Sequence, residues 1–240
     1  MRETKKEYWD KYWQKANLLY NEKIVKIILK YIDIKNKKIL EVGAGSGATS
    51  LFLASLGAKV YALDYSFNAL KLIEKNNIKN VPLIKICGDA FNLPFKNNTF
   101  DLVFSQGLIE HYKNPIEIIM EKKRVTKKNG FILIDVPQKY NLYTVKKHIL
   151  IYLNKWFAGW ETEFSITELE KLFKLANLKI VKKYAHSHFH NLYRIQNRLF
   201  NKKILPDFIS EIYNKFWQFY EEMPLSLYTL WAIGILGQKN

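Results

Sequence analysis

The stretch that most constrains this chain is Lys38-Ile39-Leu40-Glu41-Val42-Gly43-Ala44-Gly45-Ser46-Gly47, which runs on into Ala48-Thr49-Ser50-Leu51-Phe52-Leu53-Ala54-Ser55. The short apolar run to Val42 predicts a buried strand, and the small residues after Gly47 predict a helix. Glycines at alternate positions let the backbone turn sharply between the two, and let a ligand approach main chain that a Cβ would shield. The helix beginning near Gly47 aims its N-terminal dipole at that ligand. A nucleotide-type ligand belongs there. Gly43, Gly45 and Ala48 fit the G-x-G-x-x-A dinucleotide form, which seats a pyrophosphate on the helix N-terminus. Glu41, two residues before the first glycine, would instead repel a pyrophosphate and suits a ligand carrying an ammonium or sulfonium.

Further strand ends continue the pattern. Lys59 to Leu63 predicts a second strand ending at Asp64, about 20 positions after the loop, where a carboxylate accepts both hydroxyls of a ribose. Dehydrogenases and other adenosyl-binding enzymes share that device. Val81 to Cys87 predicts a third strand, followed by Gly88-Asp89-Ala90-Phe91-Asn92-Leu93-Pro94-Phe95, and Asn98 to Ser105 turns into a fourth. Asn129-Gly130 predicts a turn before a fifth strand over residues 131–136.

The Gly43-x-Gly45-x-Gly47 spacing behind Glu41 resembles motif I of the class I S-adenosylmethionine-dependent methyltransferases. The G-D-A-x-x-L-P-F run and the following Phe100-Asp101-Leu102-Val103 resemble the same family's later motifs. The likeness is close over residues 38–138 and returns at 160–169. It implies an α/β, Rossmann-like fold: a seven-stranded, mostly parallel sheet with the last strand antiparallel, helices on both faces and helical insertions roofing the active site. It implies S-adenosyl-L-methionine as cofactor and S-adenosyl-L-homocysteine as product. By that resemblance Glu41, Gly43, Ala44, Gly45 and Gly47, with main-chain atoms near Ser105 and Gln106, hold the methionine end. Asp64 with Tyr65, and Asp89 with Ala90, hold the nucleoside.

The rest of the chain is read around this frame as one domain over residues 1–240. Residues 3–32 predict two helices, the first bearing Tyr8, Trp9, Tyr12 and Trp13, one of whose rings is expected to close the cofactor pocket. Ser165 and Glu168 form a capping box for a helix through Ala176, after which Asn177 takes a left-handed conformation. Residues 178–184 and 229–236 supply the last two strands. Residues 139–159 and 187–226, both dense in aromatics, are expected to roof the substrate. Arg194 and Arg198, one helical turn apart, are placed to grip one anion.

Two histidines are candidates for a general base: His111, just past the fourth strand, and His188, in the alternating His186, His188 and His190, which on an extended chain share one face. No metal site is expected. The single Cys87 excludes an intrachain disulfide and a cysteine-held zinc. No apolar run approaches the ~20 residues of a membrane span, and the chain reads as cytoplasmic. The formal charge of +16 is spread evenly over both halves, which suits a solvated basic surface. The expected function is methyl transfer to a small, partly apolar or aromatic acceptor by a monomer or homodimer, with peripheral membrane contact open to the roof aromatics. An RNA or protein acceptor using the basic surface is the alternative, and a non-catalytic binding subunit of the same fold is a third reading.

Overall fold

The computed structural model of the protein describes residues 6–15, 22–156, 161–186 and 207–240. Its strands are β1 (Lys38–Val42), β2 (Lys59–Asp64), β3 (Leu83–Cys87), β4 (Phe100–Gln106), β5 (Thr126–Pro137), β6 (Leu178–His186) and β7 (Ala232–Lys239). They form one sheet in the order β3-β2-β1-β4-β5-β7-β6. All pairs are parallel except β5 with β7 and β6 with β7. Order and strand directions agree with the fold read from the sequence.

Parallel strands are covered on both faces, so β1 is apolar almost throughout and alternates which side it serves. Leu40 and Val42 join Val103, Ile132, Ile134 and Phe173 on one side. Ile39 joins Leu102, Phe104 and Leu133 on the other. Helices α2 (Glu22–Tyr31) and α3 (Ala48–Ser55) pack on the second side through Ile24, Ile28 and Leu53, all fully buried. Helices α5 (Pro115–Val125) and α7 (Ile166–Leu175) pack on the first through Ile118, Ile119 and Leu169. Ser165 and Glu168 make the expected capping box, and Asn177 has φ 50°. The strand order reverses between β1 and β4, which opens a crevice at their carboxyl ends.

β3 starts at Leu83 rather than Val81 and β6 runs on to His186, and two further boundaries differ from the sequence reading for a visible reason. Residues 126–130 belong to β5, because Asn129 turns within the strand at φ 61° while the register with β4 shifts between Phe100 and Leu102. β7 starts at Ala232, not Thr229, because Ser226–Thr229 is a short helix whose Thr229 hydroxyl donates to Leu225 O at 3.0 Å.

A side chain is excluded from the middle of β7. A Cβ added at Gly234 would land on the ring and hydroxyl of Tyr184, itself fully buried on the neighbouring strand. Gly234→Ala is therefore expected to lower stability by about 1–3 kcal/mol through overpacking, measured by denaturant unfolding. A second change, Tyr184→Phe, removes one of the two clashing groups and is expected to recover part of that loss.

Candidate functional site

The crevice at the β1/β4 reversal is lined by Trp9, Trp13, Gly43, Leu63, Asp64, Tyr65, Gly88, Ala90, Gly107, Leu108, His111 and Tyr112. Four strand ends, those of β1 to β4, and the N-terminal helix α1 (Lys6–Lys15) thus meet at one place. Gly43, Gly45 and Gly47 have φ of 75°, 52° and 70°, the left-handed region that glycine enters without penalty. Each is also crowded: a Cβ would meet Leu108 at Gly43, Trp13 at Gly45 and Ile73 at Gly47.

The loop's amides are largely engaged within the protein. Gly43 and Ala44 N–H donate to Leu63 O at 2.8 and 3.0 Å, and Gly47 N–H donates to Ala44 O at 2.8 Å. Gly45 N–H donates to Asp64 Oδ2 at 2.8 Å. A pyrophosphate needs such donors for itself, and here a carboxylate already holds one of them. Behind the loop lies a second carboxylate. Glu41 accepts from Ser50 Oγ at 2.6 Å and from Gln106 Nε2 at 3.0 Å, and Gln106 also donates to Thr49 Oγ1 at 2.9 Å. Burial pushes the Glu41 carboxyl up to about 8 against those hydrogen bonds. Asp64 is likewise raised by burial, opposed by the N–H groups of Ser66, Gly45 and Tyr65. The loop therefore presents buried acid, which suits a cationic ligand and disfavours a dinucleotide.

A family model described as a methyltransferase domain matches residues 40–134. The demethylmenaquinone methyltransferase of Bacillus mycoides is 30% identical over 182 residues, covering 64% of this chain and 75% of that protein. The chain belongs to the class I S-adenosylmethionine-dependent methyltransferases. The demethylmenaquinone methyltransferase of Paenarthrobacter aurescens is 33% identical over 126 residues, 50% of this chain and 49% of that protein. The chain thus spans about half the length of that curated relative. Magnesium protoporphyrin IX methyltransferase from Synechocystis, solved with bound S-adenosylhomocysteine, shares the fold with a TM-score of 0.63 at 12% identity, over 98% of this chain and 93% of that one.

The residues present fit the family's cofactor. The glycine cradle, against which the movable side chains of Trp13 and Leu108 rest, lies beside a buried carboxylate of the kind that balances an ammonium or sulfonium, and Asp64 stands at the end of β2, a position suited to accepting from ribose hydroxyls. Of the other residues singled out in the sequence, Tyr65, Ala90 and His111 line the crevice, while the side chains of Asp89 and Ser105 are engaged outside its lining. Asp89 is exposed and accepts from Phe91 N–H at 3.0 Å within its own turn, whereas its neighbour Ala90 is buried in the crevice wall. Ser105 is fully buried, its hydroxyl bound by the Lys122 ammonium rather than facing the crevice. Tyr65 lines the rim with the Lys6 Nζ 4.9 Å above its ring. His111 lies against Trp9 edge to face, ring centroids 4.6 Å apart. His188, His190, Arg194 and Arg198 lie outside the described residues.

Several contacts had no signal in the sequence. Helix α1 is tied to the start of α4 (Phe67–Asn76): Ser66 Oγ donates to Asp10 Oδ1 at 2.5 Å, and Asn68 Nδ2 donates to Asp10 O at 3.0 Å. Lys122 sits in the run Glu121-Lys122-Lys123-Arg124, which reads as a solvated face, yet it is fully buried, and burial lowers its pKa while nearby Glu110 opposes the shift. At the ends of β5 and β6, 51 residues apart in sequence, Asp135 Oδ2 and His186 Nε2 meet at 2.8 Å, both buried.

Trp13 carries a testable consequence. The free cavity in the crevice measures about 50 Å³, whereas a site for an adenosyl ligand encloses roughly 300 Å³ or more. The Trp13 indole pressed on Gly45 has to move for such a ligand to enter. S-adenosylhomocysteine is therefore expected to change tryptophan emission on binding, and Trp13→Phe is expected to remove more of that signal than Trp231→Phe does, read in a fluorescence titration.

Proposed function

We propose that this chain transfers a methyl group from S-adenosylmethionine to a small, partly apolar acceptor of quinone type. The observation that carries the reading is the convergence of Gly43, Asp64, Tyr65, Ala90, Gly107 and His111 on one crevice under the aromatic helix α1. Among the described residues, none of those lining the crevice is Lys or Arg, which favours a small neutral acceptor over RNA. Relatives that act as demethylmenaquinone methyltransferases support the quinone class.

The cofactor, when bound, supplies an electrophilic methyl on a sulfonium. The protein's task is then alignment and proton removal. Glu41 balances the positive charge of the methionine end from behind the loop. Asp64 accepts from the ribose hydroxyls while keeping Gly45 in place. His111, packed on Trp9, takes the proton from an acceptor hydroxyl, since an imidazole does so near neutral pH. Trp9, Trp13 and Tyr112 supply flat apolar walls for a ring.

The test is transfer of labelled methyl from S-adenosylmethionine to a short-chain demethylated quinol, beside calorimetry with S-adenosylhomocysteine. Micromolar product binding with measurable transfer is the expected result. Cofactor binding without transfer to any quinol would remove the acceptor class and leave the site. Loss of both would remove the methyltransferase reading. His111→Gln is expected to lower kcat about 100-fold with cofactor affinity retained.

A further inference from the structure

Helix α6 (Leu142–Tyr152) is built inside out. The two buried side chains among its described residues are polar. Thr144 is buried with its hydroxyl donating to Gln138 O at 3.2 Å. Lys147 is buried in ion pairs with Glu161 at 3.3 Å and Glu163 at 3.0 Å. Its outward side is apolar: Val145, Ile149 and Tyr152, spaced to share one face, are 56%, 55% and 87% exposed, and Ile151 and Leu153 extend the patch. An ordinary surface helix has the opposite arrangement. Single exposed apolar residues need no account, but this many within nine residues, above a polar buried face, mark an interaction surface.

The charges around the patch say what covers it. Residues 139–155 hold Lys139, Lys146, Lys147 and Lys155 with His148 and no Asp or Glu; Lys139 pairs with Glu168 at 3.2 Å and His148 with Glu163 at 2.7 Å, which leaves Lys146 and Lys155 to set the charge of the outer face. Lys147 is neutralised inward, while Lys146 and Lys155 are exposed beside the apolar stripe. Tyr140, also exposed, has the Lys139 Nζ 5.9 Å from its ring. We propose that this face of α6 docks on an anionic lipid bilayer, with Val145, Ile149 and Tyr152 entering the headgroup boundary and Lys146 and Lys155 pairing with headgroup phosphates. A second copy of the chain is a poorer occupant, because two such basic faces on chains of formal charge +16 repel. No described helix is long and apolar enough to cross a membrane, so the contact is peripheral. The surface stands apart from the methyl-transfer reading and does not depend on it.

A second exposed apolar stripe provides an internal control. On α8 (Asp207–Glu222), Ile212, Phe216 and Phe219 face outward, but among Glu211 and Glu222 with Lys215 paired to Glu211 at 2.7 Å. Glu222 in turn pairs with Lys23 and Lys182, so the charges beside this stripe are balanced and supply no excess of lysine to draw an anionic membrane.

The experiment is co-sedimentation of the full chain with phosphatidylcholine vesicles, with and without phosphatidylglycerol, at low and high salt. Binding is expected to need phosphatidylglycerol and to fall with salt. Val145→Asp with Ile149→Asp is expected to lower the partition coefficient at least tenfold, and Lys146→Glu with Lys155→Glu at least about fivefold per lysine. The milder Ile149→Ser with Tyr152→Ser is expected to lower it severalfold, and Ile212→Asp to leave it unchanged. All of these residues are exposed, so the thermal midpoint is expected to stay at its wild-type value. Equal binding to neutral vesicles, no binding by wild type, or undiminished binding by the aspartate variant would overturn the proposal. So would light scattering that shows a dimer which Val145→Asp with Ile149→Asp turns into a monomer.

Discussion

Asp64→Ala is expected to weaken S-adenosylhomocysteine binding at least 100-fold by calorimetry, about 2.7 kcal/mol. Asp64 closes β2 with both carboxylate oxygens committed: Oδ2 accepts from Gly45 N–H and Oδ1 from Ser66 N–H, each at 2.8 Å. It thereby ties the glycine loop to the start of α4. Truncation removes the acceptor for the ribose hydroxyls and leaves two buried N–H groups unpaired, each costing about 1–3 kcal/mol. A loss of stability of about 2–6 kcal/mol is therefore expected alongside the loss of affinity. Asp64→Asn keeps one acceptor and is expected to fall between wild type and alanine. Binding by Asp64→Ala within fivefold of wild type would move the cofactor away from this crevice.

Glu41 makes cofactor binding depend on pH, and the sign follows from burial. Its carboxyl is raised from 4.5 to about 8 by desolvation, so the folded protein holds a proton there that the unfolded chain gives up. The corresponding stability is full below the unfolded value, declines as pH rises, and is lost once pH passes about 8. A bound ammonium or sulfonium favours the ionised form, so binding releases a proton below that value. Affinity is then expected to rise with pH between about 5 and 8, by up to tenfold per unit. Calorimetry in buffers of different ionisation enthalpy reads the released proton directly. Glu41→Gln is expected to abolish the release, flatten the profile and weaken binding at pH 8 by more than tenfold. Its amide oxygen can go on accepting from Gln106 Nε2, as the carboxylate does at 3.0 Å, while its NH2 donates to the Ser50 hydroxyl, so the substitution removes the charge and keeps the hydrogen bonds. Burial raises Glu110 in the same range, so the difference between wild type and Glu41→Gln isolates the site carboxyl. A pH profile unchanged by the substitution would remove Glu41 from the cofactor's charge balance.

The frame was legible because its signals are local. Alternate glycines after an apolar strand, a capping box four residues long and an Asn at a helix end each act within about one turn of chain. The sheet order followed because such strands and helices stack in few ways. What stayed illegible depends on partners far apart in sequence. Lys122 in a charged run gives no hint that Ser105 waits for it across the core, and Asp135 cannot announce His186. The aromatics of α1 read as a pocket cover, but no spacing rule says that Trp13 would press on Gly45 or that Asp10 would bind Ser66. Asp89 adds a local contact that the motif did not announce. A loop Asp can satisfy itself against its own backbone, and here it does so with Phe91 N–H.

The position of β7 bears on how the molecule is made. It lies between β5 and β6 yet follows both in the chain. During synthesis on the ribosome, β5 and β6 therefore wait with open edges until residues 232–239 emerge, and the gap they flank admits only a strand with glycine opposite Tyr184. Nascent chains arrested before that point expose a template for pairing with one another. Holding chaperones are expected to matter most during that interval.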